Sequence, residues 1–446
     1  MTLRALLTPA RLRSAALPAA TWAWTRGVLL LYVYNVLPYI SHGDIVGDLK
    51  LYQHWSNILS TGHFPATDRS WQYPPGAALV IEFPHLVRSV TGLSYFSSFY
   101  AMALASDLII FLLVVYRCWR THEQTGSEKI DYVGAYAYVA AIFMLGPFIF
   151  GRYDITVTMI ASVGLVVTLR TAAATWRLRG AAIGVGTIVK VWPMALILGL
   201  PRGRDGRRAV TWAAIGGAVP TLLLLILPGA LSFLKQQGGR GLEIESVLAT
   251  PFLLARHFGY HAVIRNRYGS FEVIGPGIGA IAAFCELLTL IGFCWLLWWR
   301  MRAKLTPGRR TEGAYYDASL IAVMISIITS RVLSPQYLVW VCGLIALCLA
   351  IAPLKRENGG TVLAGPCWLL LGTISITQLE FPLFFPALVH GGTKAALFVT
   401  GRNALLVGAT IWGAYLLWKR YVVVGVEERA PEIPEAEEER EPEPVV

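Results

Sequence analysis

Residues 95–117 read YFSSFYAMALASDLIIFLLVVYR, an apolar run interrupted by one acid, Asp107, and closed by Arg117. At about 1.5 Å per residue, a helix of this length crosses the roughly 30 Å hydrocarbon core of a bilayer. Similar runs recur at Thr21–Ile40, Tyr132–Phe150, Ile155–Leu169, Val210–Leu231, Ile274–Trp299, Tyr315–Thr329, Leu333–Pro353, Thr361–Thr377 and Ala396–Trp418. Two further pieces are ambiguous: Gly76–Val90, broken by Glu82 and Pro84, and Ala181–Leu200, broken by Lys190 and Pro193. The expected fold is an all-α polytopic membrane protein with about 10–12 transmembrane helices, in one domain over residues 1–425.

Composition agrees. Of 446 residues, 55% are hydrophobic and 15% charged, and the mean hydropathy is +0.56. A soluble domain carries roughly a quarter charged residues, so soluble, disordered and fibrous classes are excluded. The net charge of +11 is uneven. Residues 427–446 hold nine Glu and two Arg, net −7, which leaves +18 for the rest. Such a tail is too polar to fold alone, so residues 426–446 are expected to form a disordered acidic cytoplasmic tail. The positive excess reads as cytoplasmic-loop charge rather than nucleic-acid binding.

Loop charge sets the expected topology. Basic clusters lie at Arg117–Lys129, Arg170–Arg179, Arg202–Arg208, Arg300–Arg310, Lys355–Arg356 and Lys419–Arg420. All fall on the cytoplasmic side if Ala181–Leu200 dips in and returns and Gly76–Val90 lies in the outer leaflet. The first run is then a retained helix, not a cleaved signal. His42–Ser94, Gly151–Asp154, Ser232–Val273, Ser330–Gln336 and Gln378–Lys394 face outward. The six Cys form no CxxC pair, and no His or Cys sits at metal-ligand spacing. No metal and no cofactor are expected.

Polar residues gather on that outer side. The first outer loop runs from Gly43-Asp44 through Gly47-Asp48 and Tyr52 to His54-Trp55. Gly47 followed by Asp48 predicts the start of an amphipathic helix lying along the membrane surface, and Asp48, Tyr52 and Trp55 share a face of that helix. A carboxylate at the water boundary suits a general base; as an alternative, Asp48 is an N-cap and the aromatics are interfacial anchors. Gly62-His63-Phe64-Pro65 and Trp71-Gln72-Tyr73-Pro74-Pro75-Gly76 follow. Gln72 and Tyr73 there suit hydrogen bonding to and stacking on a sugar; the alternative is an interfacial turn with an aromatic belt.

These pieces resemble the polyprenyl-phosphate-sugar glycosyltransferases of the GT-C superfamily. Its endoplasmic-reticulum glucosyltransferases carry Gly-Asp, five residues, then His-Trp, as in Gly47-Asp48 and His54-Trp55. The Asp-x-x-x-Tyr, Gly-x-x-Pro and Tyr-Pro-Pro-Gly run is similar to the bacterial, mannosyltransferase-like glycosyltransferase family 87 group. Arg152-Tyr153-Asp154, Lys190-Val191-Trp192-Pro193, Gly241-Leu242-Glu243-Ile244-Glu245-Ser246 and Ser334-Pro335-Gln336-Tyr337 echo it further. From Thr361 onward the resemblance is a helix count.

The resemblance implies transfer of a hexose, mannose favoured, with inversion, from a polyprenyl-phosphate donor to an extracytoplasmic glycan or glycolipid acceptor. It implies a multi-pass enzyme of the cytoplasmic membrane, embedded in the lipid bilayer, with no nucleic-acid partner. Asp48 is the expected base, with Asp44 one turn earlier as its competitor. Lys190, Arg331, Arg152 and Arg240 are the expected donor-phosphate ligands. An internal salt bridge of Lys190 or Arg331 with Asp154 or Glu243 is the alternative. Tyr52, His54, Trp55, Gln72, Tyr73, Asp154, Glu243 and Gln336 are the expected sugar or acceptor contacts. Two other functions compete: a transporter or flippase of lipid-linked sugars, and an O-antigen ligase or polymerase. The one-sided polar residues and the absence of a repeat argue against the transporter.

Overall fold

A computed structural model describes residues 8–40, 42–267, 269–304, 312–355 and 359–424. The acidic tail and most of Arg300–Arg310 lie outside the described residues. The helices used below are α1 (Ala16–Val33), α2 (His42–Leu59), α3 (Ala77–Thr91), α4 (Tyr95–Thr125), α5 (Val133–Leu145), α6 (Asp154–Val166), α7 (Ala172–Val189), α8 (Arg204–Leu224), α9 (Ile278–Arg302), α10 (Glu312–Ile328), α11 (Val339–Ala350), α12 (Ala364–Gln378) and α13 (Thr393–Trp418). The chain is an all-α polytopic membrane protein. Among the described residues, Tyr95–Thr125, Ile278–Arg302, Ala364–Val389 and Thr393–Val424 are long and apolar enough to cross a membrane.

Asp107, the acid inside the opening run, is fully buried in α4. Arg26 of α1 grips it from two sides, Nε to Oδ2 at 2.8 Å and Nη2 to Oδ1 at 2.9 Å. Tyr138 Oη and Trp22 Nε1 also donate to it, each at 2.7 Å. A charge in an apolar helix is tolerated when a partner and donors satisfy it.

Small residues let other helices touch. A Cβ on Gly134 of α5 would lie 2.5 Å from the Ala346 carbonyl of α11. Cβ atoms on Gly180 and Gly184 of α7 would lie 2.0 and 2.2 Å from the Ala209 and Ala213 carbonyls of α8. Both pairs are spaced four apart, the small-residue pattern of close membrane-helix packing.

Several expected spans are shorter than anticipated. α5 and α6 have 13 residues each and α11 has 12. At 1.5 Å per residue they reach only about 20 Å. The causes are local: Gly146-Pro147 ends α5 in a 3₁₀ turn, Pro147–Gly151, and Pro335 starts the 3₁₀ turn Pro335–Leu338 ahead of α11. The ambiguous Ala181–Leu200 is the second half of α7, a break at the extended Lys190, and a 3₁₀ segment, Trp192–Gly199, packed against α7 and α10. Gly76–Val90 is a continuous helix, α3, despite Pro84. Its Ala77, Val80 and Ile81 are buried while Leu79, Phe83, Leu86 and Val90 are exposed.

Between α8 and α9 the chain forms a small antiparallel sheet: β1 (Leu242–Glu243), β2 (Val263–Arg267) and β3 (Ser270–Ile274), in the order β1-β3-β2. Glu243 pairs with Glu272 across β1 and β3. Leu242, Ile244 and Val273 enter a second core with Ile278, Cys285 and Val399.

Candidate active site

The short helices α6 and α11 begin at the same place, beside the ends of α2 and α7. A cavity of about 810 Å³ opens there. Asp48, Tyr52, Trp55, Gln72, Tyr73, Arg152, Asp154, Lys190, Arg240, Glu243, Arg331 and Gln336 all line it. They come from residues nearly 290 positions apart in the chain.

Helix α2 begins at His42, not Gly47. Asp48 therefore stands in the second turn and caps nothing. The start signal misled because Gly47 sits inside the helix, at the cavity wall, where a Cβ would meet nothing within 4 Å. Tyr52 and Trp55 are buried, not interfacial. Tyr52 packs on Phe99 and Tyr153, and Trp55 on Trp71 and Tyr73, with centroids 5.1–5.7 Å apart. Trp55 Nε1 donates to Asp68 at 2.7 Å. His54 lies off this face, exposed and outside the cavity. Six residues past Asp48, it is turned about 240° around the helix. The Asp44 side chain lies outside the described residues.

Gly151 brings α2 to the site. A Cβ there would lie 2.3 Å from the Ile45 carbonyl, so only glycine lets α2 cross the turn before Arg152. Arg152 Nε then meets Asp48 Oδ2 at 2.8 Å.

Two residues on, Asp154 opens α6. Its Oδ1 accepts from Lys190 Nζ at 2.6 Å and from Trp340 Nε1 at 2.5 Å. The Lys190 ammonium also lies 5.2–6.0 Å from the centroids of Tyr73, Tyr153, Tyr337 and Trp340. The carboxylate and the ring faces together hold a charge where water is scarce. Of the alternatives for Lys190, its partner in this state is Asp154.

The other two cations are also paired. Arg240 Nε lies 3.5 Å from Glu272, and its Nη atoms donate to Gln72 Oε1 and to Ser270 Oγ. Arg331 Nη1 lies 3.1 Å from Glu286 on α9, and Nη2 donates to the Gln237 carbonyl at 2.9 Å. The cavity is thus a set of ion pairs and not a bare cationic patch: Asp48–Arg152, Asp154–Lys190, Glu272–Arg240 and Glu286–Arg331. An anion entering it would exchange with a carboxylate.

Glu243 accepts from Ser334 Oγ at 2.8 Å. Burial pushes its carboxyl up to about 7 against the pull of Arg240. Burial and then the neighbouring Glu380 carboxyl hold Glu245 further above the carboxylate range.

Sequence reasoning read Glu245 with Glu243 as an outward acid able to orient a sugar or pair with Arg240, and missed Tyr337, Trp340, Glu380 and Arg402. Arg402 had a readable signal: it is a charge in the last apolar run. It is fully buried, and its Nη2 donates to the Glu245 carbonyl at 2.9 Å. Trp340 had none, since an aromatic beginning an apolar helix reads as core.

From this polar end the cavity continues along Met194, Ile197 and Leu198 of the 3₁₀ segment, Thr289 and Phe293 of α9, and Ser326 of α10. This arm is largely apolar, and much of α9 around it is exposed.

A family model described as Glycosyltransferase family 87 matches residues 71–314. No curated protein and no solved structure matches the chain. The matched stretch includes Gln72, Tyr73, Arg152, Asp154, Lys190, Arg240 and Glu243 of the cavity wall; Asp48, Arg331 and Gln336 lie outside it.

Proposed function

The chain belongs to glycosyltransferase family 87 and is an enzyme that transfers sugar, and we propose that it moves a hexose, with mannose the favoured sugar, from a polyprenyl-phosphate donor to an extracytoplasmic glycan or glycolipid acceptor. The observation that carries this reading is the shape of one cavity. Its polar end holds Asp48 beside Arg152, Lys190, Arg240 and Arg331, and its other arm runs between the 3₁₀ segment, α9 and α10. A lipid phosphate fits such a space with its charge among the cations and its chain in the apolar arm.

In the proposed reaction the donor phosphate takes hydrogen bonds from Arg152 and Lys190. Arg152 then divides its donors between the phosphate and Asp48. The acceptor hydroxyl oxygen attacks the anomeric carbon from the face opposite the phosphate. The new glycosidic C–O bond forms as the sugar–phosphate C–O bond breaks, and configuration inverts. The hydroxyl proton passes to Asp48, and polyprenyl phosphate leaves as an anion held by the cations. Asp48 suits the base role because it stands at the mouth, with its side chain 36% exposed, whereas Asp154 is 2% exposed and already holds two donors.

The proposed sidedness rests on charge. Arg202 Nη2 donates to the Arg300 carbonyl, and Arg300 Nη1 to the Leu198 carbonyl at 3.2 Å. Lys304 N donates to the Tyr421 carbonyl at 3.0 Å. The clusters around residues 202–208, 300–304 and 419–420 therefore meet at one end. α7 leads from the basic stretch at Arg170–Arg179 away to Lys190 and the cavity. By the positive-inside rule the cavity faces outward, and a bacterial cytoplasmic membrane is the proposed location.

Turnover by the purified chain with a panel of polyprenyl-phosphate sugars tests the proposal. Transfer from at least one, hexose donors first, is expected. Transfer only from nucleotide sugars would overturn the donor assignment.

A further inference from the structure

Leu242–Glu243 is strand β1, and Ile244 and Glu245 form the turn that Ser246 N closes on the Glu243 carbonyl at 3.0 Å. Leu242 and Ile244 are in the second core. Glu243 and Glu245 line the cavity, and their residues are 4% and 3% exposed. Glu243 Oε2 and Glu245 Oε1 are buried and have no hydrogen-bond partner. Buried carboxyl oxygens are normally satisfied, and leaving one unmet is costly.

The surroundings increase that cost. Glu272 stands directly opposite Glu243 in the sheet register, and like charges across a strand pair repel. Glu272 Oε2 and both Glu380 oxygens are buried without partners as well. Burial, and after it the Glu380 carboxyl nearby, raise the affinity of Glu245 for a proton. Arg240 and Arg402 are the adjacent cations. Arg402 and Asn403 of α13 hold this turn through the Glu245 carbonyl, at 2.9 and 3.2 Å.

An aromatic wall stands in the same cavity. Tyr337 and Trp340 stack at 4.1 Å, and Trp340 and Trp192 at 5.6 Å. Carboxyl acceptors facing an aromatic wall match a sugar ring, which offers O–H donors at its edge and C–H groups on its face.

We propose that Glu243 and Glu245 form a hydroxyl-reading subsite that accepts an uncharged sugar ring and rejects one bearing a carboxylate. The inference rests on the glycosyltransferase reading of this cavity and adds the chemical class of the ring. Each hydroxyl donates to one of the free oxygens, whereas a uronate carboxylate has no hydrogen to donate to them and adds its charge to that of ionised Glu243. Arg402 and Asn403 are positioning residues for the subsite.

The test uses the full chain in lipid nanodiscs. A hexosyl and the matching hexuronosyl short-chain polyprenyl phosphate are compared by thermal-shift titration and by turnover. The same pair of rings is then compared as acceptors, which separates donor from acceptor use. The expected result is at least tenfold tighter binding of the uncharged ring on one of the two sides. Glu243→Gln and Glu245→Gln should each cut that preference several-fold and raise KM more than they lower kcat. Equal binding of both rings by the wild-type chain, as donor and as acceptor, would overturn the inference without any variant. A preference unchanged in both folded variants would overturn it too. If no donor is turned over, the transferase reading fails, while the binding comparison still decides this one.

Discussion

Arg152 Nε lies 2.8 Å from the Asp48 carboxylate, joining a helix of the first outer loop to the turn that precedes α6. The contact crosses more than a hundred residues of sequence and depends on Gly151. It also makes the proposed base and the nearest proposed phosphate ligand one unit. Donor binding and base release are thereby coupled.

Gly151→Ala tests that dependence. The added Cβ would lie 2.3 Å from the backbone oxygen of Ile45, so α2 must shift. A loss of about 1–3 kcal/mol in stability is expected from such overpacking, together with a larger loss of turnover. Thermal unfolding and transfer rates measure the two. Wild-type values for both would show that α2 does not need this approach.

Lys190→Met removes the partner of a buried carboxylate. Lys190 is 14% exposed and Asp154 2%, so the single variant is expected to lose about 3–5 kcal/mol, the usual result of stranding a buried charge. Lys190→Met/Asp154→Asn should regain much of the stability and still need more donor for half-maximal rate. If the double variant recovers both, Lys190 is a structural cation only.

The pH dependence follows from Glu243, whose carboxyl titrates near 7 against an ordinary 4.5, chiefly because it is buried. The folded state holds this proton more tightly than the unfolded chain. Its contribution to stability is therefore full below about 4.5 and is lost as pH rises through about 7. Ionised Glu243 is the stronger acceptor for a hydroxyl, so the KM for the sugar substrate should fall between pH 6 and 8. Glu243→Gln should flatten that change. A KM profile unaltered by the substitution would remove Glu243 from sugar binding.

Topology is checked by cysteine labelling in a chain lacking its six native cysteines. Ser56 and Ser246 are fully buried and unsuitable as probes, whereas His54 and Phe258 are exposed. Cysteines at positions 54 and 258 should react with an impermeant reagent in intact cells, and one at Arg204 only after lysis. The reverse pattern would turn the cavity to the cytoplasm.

The sequence was most readable where a residue type conflicted with its surroundings. Lys190, Arg331 and Asp154 stood in or beside apolar runs, where a charge needs a reason, and all three line the cavity. Helix type followed from apolar run length, but helix length did not. Gly146-Pro147 and Ser334-Pro335 shorten α5 and α11, and sequence alone does not say that both breaks meet around Asp154. His54 was drawn in by motif spacing, although helix geometry turns it away from Asp48. The Lys190–Asp154 pair stood among the alternatives read from the sequence, but the partners of Arg240 and Arg331 were illegible, since Glu272 and Glu286 reach them only through the sheet and α9. Arg402 was legible and was overlooked.

The most direct test of the account is the turnover of Asp48→Asn, purified and shown by its unfolding profile to be folded, with a polyprenyl-phosphate sugar donor that the wild-type chain uses. The substitution keeps the shape of the side chain and removes its ability to take a proton. The predicted result is a rate lower by roughly a hundred- to ten-thousand-fold, the range that general base catalysis spans, with donor binding largely retained. A rate near that of the wild-type chain would contradict the account; if Asp44→Asn were then inactive, the base would lie one helical turn earlier.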